Sequence, residues 1–436
     1  MGRLRIALIM VSSAILVSAV GGQDLGELLM KARENMAAQN YDTAKQQLQT
    51  IVETNITYAP AYFELSKIAL IQDDLLGAQE NIDAAIENDP RNEEYRATAE
   101  RIAVLSSDMS NARRSYDERD YMGAVARYEK VIEDYPTFAS AYFGLGMALM
   151  MAGRLQEAAE AFSRAQSYNP NDPRYAAALR NLVADKYNEG NRLLRARDWE
   201  SALAVYQEAT ELDSSFYLAY HKIAYCQRMM GDNAAALKAL DRSIAVEPDY
   251  IIAYIDKGDI LRREGRLKEA EAVLRAAISH DPKSDEALEG LGAVLRRDRP
   301  NEAIELFTSA ITINPKNGDV AEYLGEIYSE RESWAEAQKY LEQAVQLKPG
   351  NHVTAWRLAH VYNELGNYEK AREMAKRSTD LKKTFEYAWY EKGLAEKALG
   401  NRQAAIEAFR NAQKGRDASI RRSAEYELKQ LESPNR

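Results

Sequence analysis

Alanine recurs along this chain in near-constant register, as Ala44, Ala78, Ala124, Ala158, Ala202, Ala236, Ala270, Ala303, Ala337, Ala371 and Ala405. Eight of the ten intervals are 33 or 34 residues, and the other two are 46 and 44. A self-similar period of this length marks an array of stacked units, each of which buries its apolar face only against its neighbours. The 436 residues therefore need not be shared among the two or three globular cores that length alone suggests.

The positions around each alanine explain the period. Twelve residues before it, or eleven in the unit of Ala303, the side chain is small: Ala32, Ser66, Ala112, Gly146, Gly190, Ala224, Gly258, Gly292, Gly325, Ala359 and Gly393. Four residues after it the side chain is mostly large, as in Leu48, Ile82, Tyr128, Phe162, Tyr206 and Phe409. Residues four apart share one face of a helix, so the alanine and the bulky residue belong to one buried stripe. The small slot lets a facing helix approach closely, where a larger side chain would overpack. Gly153, Gly231, Gly265, Gly366 and Gly400 stand five before their alanines, where a first helix must stop in a left-handed cap. Pro90, Pro136, Pro170, Pro248, Pro282, Pro315 and Pro349 stand twelve after theirs and stop the second helix.

This unit closely resembles the tetratricopeptide repeat. Tyr142, Leu145, Gly146, Ala158, Phe162, Ala165 and Pro170 carry the resemblance in one unit; Ala321, Leu324, Gly325, Tyr328, Ala337, Leu341, Ala344 and Pro349 carry it in another. It covers residues 25–419. It implies an all-α fold, a right-handed α-α superhelix of about eleven helix-turn-helix repeats. Residues 420–436 fit an amphipathic capping helix and tail. The two stretched intervals depart from the family. Tyr95, Ala99, Ile102, Leu105 and Met109 keep helical spacing through the first, and Tyr175, Leu179 and Leu182 through the second. Each insertion reads as an extended first helix, which divides the repeats into blocks 25–92 (units one and two), 93–172 (units three and four) and 173–419 (units five to eleven).

Residues 1–22 are a different object. Arg3 and Arg5 precede an apolar stretch, Ile6 to Val20, with small residues up to Gly21 and Gly22. This pattern reads as a secretory signal peptide, shorter than a membrane span requires, and places the mature chain in the periplasm or cell envelope with no integral span. The single cysteine, Cys226, excludes an internal disulfide framework and reads as a buried thiol.

A net charge of −10 argues against nucleic acid as a partner. The sequence holds no phosphate-cradling glycine loop, no paired-histidine zinc motif and no nucleophile motif. No catalytic residue, metal site or cofactor is expected. The function this leaves is protein-protein interaction.

In the resembling family the first helices line a concave groove. Carried onto this chain, the partner-binding positions are Phe63, Leu70, Met109, Tyr116, Phe143, Met147, Met150, Tyr187, Asn191, Leu194, His221, Tyr225, Arg228 and Arg262. The N-terminal part is rich in Met and aromatics, which suit adaptable peptide contact if they are exposed. A subclass of the family clamps a C-terminal carboxylate with Lys and Asn; here Asn191 fits but Tyr187 replaces the lysine, so that mode is rejected. The leading expectation is a non-catalytic scaffold that binds a protein or peptide segment in this groove. The alternatives are a structural spacer in an envelope assembly, such as polysaccharide export or outer-membrane machinery, and a glycan-binding module using Trp356, Tyr387 and Tyr390.

Overall fold

In the computed structural model, residues 24–432 are described, and the expected signal peptide and its cleavage site lie outside them. Among the described residues there are 23 helices and no strand. They form eleven consecutive helix pairs, one around each ladder alanine, and a last helix, Ala418–Glu432. The chain forms two compact bodies that meet in sequence between Ala219 and Tyr220. That point lies inside the helix Tyr217–Met229 and not at either stretched interval.

Local signals punctuate each pair. Asp74, Asp120, Asp198 and Asp232, each four before a ladder alanine, cap the second helix by accepting a hydrogen bond from the N–H of the third residue on. The residue just before this cap is left-handed in ten of the eleven units. Five of these are the expected glycines, with φ between +72° and +87°. The other five are Gln39, Asp73, Arg119, Arg197 and Glu332, with φ between +57° and +65°. Unit eight is the exception. Its interval is one residue short, its first helix Asp285–Leu295 has 11 residues, and its C-cap Arg296 stays right-handed at φ −53°.

All eleven ladder alanines have no accessible surface. The small slot meets the bulky residue four after the alanine, and not the alanine itself. A Cβ added at Gly146 would lie 2.5 Å from the Phe162 ring, one at Gly292 2.6 Å from Phe307, and one at Gly393 2.5 Å from Phe409. Glycine is thus the space that an aromatic ring occupies, and side chain and slot form one packing element.

The stretched intervals are continuous helices. Glu93–Asp117 has 25 residues and Pro173–Arg195 has 23, against 13 for most other first helices. Asn92 caps the first, accepting from the N–H groups of Glu94 and Tyr95, and Asp172 caps the second, accepting from that of Arg174; Pro173 sits at the N-terminus where its missing N–H costs nothing. The last helix packs on Arg402–Gln413 through Ala424 and Leu428.

Candidate functional site: the first-helix face

The extra turns decide what the first-helix face of the N-terminal body looks like. Each insertion begins with an Asx cap followed three residues later by tyrosine: Asn92 then Tyr95, Asp172 then Tyr175. Tyr95 is 5% exposed and Tyr175 is 0% exposed. The Tyr95 ring lies 4.7 Å from that of Phe63, and the Tyr175 ring 5.2 Å from that of Phe143. The inserted turns therefore cover the face of the preceding unit. Leu70 joins Leu105, Val131, Phe138 and Ala141 in one apolar cluster, with Met109 against it. Tyr116, Met147, Met150 and Tyr187 pack on a second cluster, which holds Tyr128, Leu149, Phe162 and Leu182. Tyr187 also stands edge-on to Phe216 at 5.2 Å.

This corrects the expectation of an open apolar strip. None of the fourteen predicted positions is fully exposed; Phe63 and His221 are buried, and the rest, Leu194 and Tyr225 included, are half-buried. Their apolar character in the N-terminal body is accounted for by core packing against the inserted helices. Met150 also lines a cleft, of about 650 Å³, shared with Leu155, Leu182, Lys186, Arg192 and Arg195.

A polar clasp closes the same body. Asp73, in the left-handed turn of unit two, accepts hydrogen bonds from Ser140 N at 3.0 Å, Asn169 Nδ2 at 3.1 Å and Tyr175 Oη at 3.4 Å. The Ser140 hydroxyl lies 3.0 Å from the same tyrosine oxygen. Burial raises the Asp73 pKa above the usual carboxylate value, against the pull of these three donors. The clasp joins residues 67 to 102 positions apart. The only sequence signal for it is the repeated Asx-x-x-Tyr start of the two insertions.

The first-helix face of the C-terminal body is polar. His221 Nε2 lies 2.7 Å from Asp256 and its Nδ1 3.1 Å from Tyr250 Oη. Arg228 approaches Asp259 at 3.8 Å, and Arg262 bonds the same carboxylate at 2.7 Å. Burial works against ionisation of Asp259, but Arg262 and Arg263 overcome it and hold its pKa below the ordinary value. Further along, Arg296 and Arg357 both reach Glu326, at 3.1 and 2.8 Å. Glu391 bonds His360 at 3.0 Å and Asn363 at 2.7 Å, and its hydrogen bond raises the His360 pKa. Half-exposed pairs like these are worth about 0–1 kcal/mol each, so they order this face more than they stabilise it.

One cleft opens among them, about 230 Å³, between helices Ile251–Arg263 and Asp285–Leu295. Gly258, Gly290 and Leu274 line it together with Arg262, Asp256, Asp259, Glu286, Glu289 and Tyr323. Burial raises the Glu289 pKa, opposed by a hydrogen bond from Asn317.

The remaining predicted positions take structural partners. Asn191 Oδ1 accepts from Tyr206 Oη at 2.8 Å. Arg228 lies over the Tyr225 ring at 5.5 Å. The aromatics considered for sugar stacking meet one another: Trp356 is 5.2 Å from Tyr387 and 5.6 Å from Phe385. Tyr390 lies 5.7 Å from Phe409. Cys226 is fully buried, and burial pushes its thiol up to about 11. Among the described residues no three His, Cys, Asp or Glu side chains gather as metal ligands would, and no helix is long and apolar enough to cross a membrane.

Family models described as tetratricopeptide repeats match residues 115–182 and 330–390, 187–244, and 386–414. One for the N-terminal TPR repeats region of Psidin matches 229–359. Among curated proteins, the chain is 31% identical over 119 residues to DnaJ homolog subfamily C member 3 of Rattus norvegicus, 27% of this chain and 24% of that one. It is 24% identical over 257 residues to stress-induced-phosphoprotein 1 of Caenorhabditis elegans, 53% of this chain and 76% of that one. The chain thus spans about a quarter of the length of the DnaJ relatives it matches. Among solved structures it is similar to YrrB, described as a TPR protein with an unusual peptide-binding site, at TM-score 0.41 and 23% identity over 44% of this chain and 99% of that one. It is also similar to pilF of Pseudomonas aeruginosa, at TM-score 0.44 and 18% identity over 47% and 94%.

Proposed function

The chain is a tetratricopeptide-repeat protein, and from that premise we propose that it is a non-catalytic scaffold of the periplasm or cell envelope that holds a segment of another protein. The contact surface in this reading is the first-helix face of the C-terminal body, and not the Met-aromatic strip of the N-terminal one. The observation that carries it is the cleft floored by Gly258 and Gly290, where Arg262 and four carboxylates surround open space. Leu274 fills the space beside both glycines, so the cleft has an apolar floor, and the mixed charges at its rim supply orientation. Location in the envelope rests on the basic start and apolar stretch of residues 3–20. The relatives named as a DnaJ homolog and a stress-induced phosphoprotein fit a scaffold role without specifying a partner.

Photo-crosslinking in cells tests this reading. A crosslinker at Glu286, exposed on the first-helix face, should recover a protein partner; one at Glu305, exposed on the second helix of the same pair, should not. Arg262→Glu should abolish the Glu286 product with helicity unchanged. Equal products from both positions, insensitive to Arg262→Glu, would sink the assignment.

A further inference from the structure

The C-terminal end carries charge of the opposite sign to the rest of the chain. Between residues 410 and 422 there are five basic side chains, Arg410, Lys414, Arg416, Arg421 and Arg422, and a single acid, Asp417, in a protein of net charge −10. The Asp417 carboxylate is turned to structural use: it accepts from Tyr387 Oη at 2.7 Å and from the backbone N–H groups of Ser419 and Ile420, capping the last helix. Four of the basic residues line one open cleft of about 1000 Å³ between Arg402–Gln413 and Ala418–Glu432, with Gln413, Ala418 and Glu425. All seven lining residues are exposed. Among the described residues Arg410 pairs with Glu432 at 2.8 Å, whereas Lys414, Arg421 and Arg422 have no carboxylate in ion-pairing range. Along the C-terminal first-helix face, by contrast, Arg296, Lys348 and Arg357 each reach a carboxylate.

We propose that this cleft is a second interaction surface and takes an acidic stretch of polypeptide from a protein partner. Charge complementarity selects the sign. The spread of cations along two helices, with no common focus, matches a row of carboxylates better than one compact anion. Glu425 at the cleft repels negative charge locally and so fixes which part of the segment is acidic, while Gln413 can both donate to and accept from a peptide backbone. The net negative charge of the whole chain disfavours long polyanions and extended anionic surfaces, and a short segment that reaches only the cap avoids that repulsion. The proposal rests on the protein-binding reading of the chain but not on the first-helix cleft.

The test uses the full chain and a fluorescein-labelled poly-Glu peptide of about ten residues, followed by anisotropy, with a poly-Lys peptide as control. Poly-Glu should bind, more tightly as salt falls, and the Arg421→Glu/Arg422→Glu variant should weaken it by about tenfold or more. The milder Arg421→Gln/Arg422→Gln variant should give a smaller loss and covers the case where charge reversal disturbs the helix. Arg262→Glu should leave poly-Glu binding unchanged. Absence of poly-Glu binding, or binding indifferent to both double variants, overturns the proposal. So does tighter, Arg421/Arg422-dependent binding of inorganic polyphosphate or phosphatidylserine vesicles, which would make the cleft a phosphate or membrane site. Absence of any Glu286 crosslink in the chain with Arg262 intact, with poly-Glu binding retained, would count against the first-helix reading alone.

Discussion

The left-handed position five before each ladder alanine separates residues kept for geometry from residues kept for contacts. Glycine adopts this conformation without a Cβ penalty, whereas other residues pay about 1–2 kcal/mol for it. Arg119 and Glu332 sit there with exposed side chains, so their strain is offset only by the smaller conformational freedom of a non-glycine in the unfolded chain. Arg119→Gly and Glu332→Gly should each stabilise the protein by about 0.5 kcal/mol, read as a higher urea midpoint with an unchanged slope. Asp73 has the same backbone strain but holds three donors. Asp73→Gly should therefore destabilise, by about 1–3 kcal/mol for the buried groups left unpaired. A sequence reading marks the five glycines because their composition signals the turn; the five other residues carry no such signal, and only the dihedrals reveal them.

At the level of elements, the two long first helices are the main departures from the repeat. Their extra turns add about 18 Å and 15 Å of helix, at 1.5 Å per residue for 12 and 10 residues. Apolar periodicity through residues 95–109 and 175–182 makes the helices legible in sequence. Their consequence is not legible, because periodicity shows which residues share a face and not what that face meets. Phe63 and Phe143 occupy groove positions by register, yet Tyr95 and Tyr175 lie over them. Excising residues 94–105 restores a 34-residue interval. It should uncover Phe63 and Leu70 and release the Asp73 clasp. The expected readout is increased binding of a hydrophobic dye at near-native helix content; an excised chain with no more dye binding than the parent would show that the inserted turns are not the cover.

For the whole molecule, charge is distributed unevenly: an apolar-packed N-terminal body, a polar first-helix face in the C-terminal body, and a basic cleft at the cap. A scaffold of this kind offers separate surfaces for separate segments, and single substitutions should affect one without the other. Export belongs to this scale too. Chain recovered from the envelope fraction should be lighter than the 49.1 kDa precursor by the mass of about 21 or 22 residues, with a new N-terminus at Gly22 or Gln23. Mass spectrometry that finds Met1 on cytosolic protein only would remove the envelope assignment.

The sequence by itself determined the helix pairs, their punctuation and the register of the buried stripe. Those properties depend on contacts within 34 residues, where spacing, capping and backbone preference act locally. Tertiary structure alone decided which face remained available to a partner. Availability depends on contacts between distant units, such as Asp73 with Asn169 and with Tyr175, 96 and 102 residues apart. A repeat pattern assigns every first helix the same outward face. Where an inserted turn packs over the preceding unit, as Tyr95 does on Phe63 and Tyr175 on Phe143, part of that face is covered.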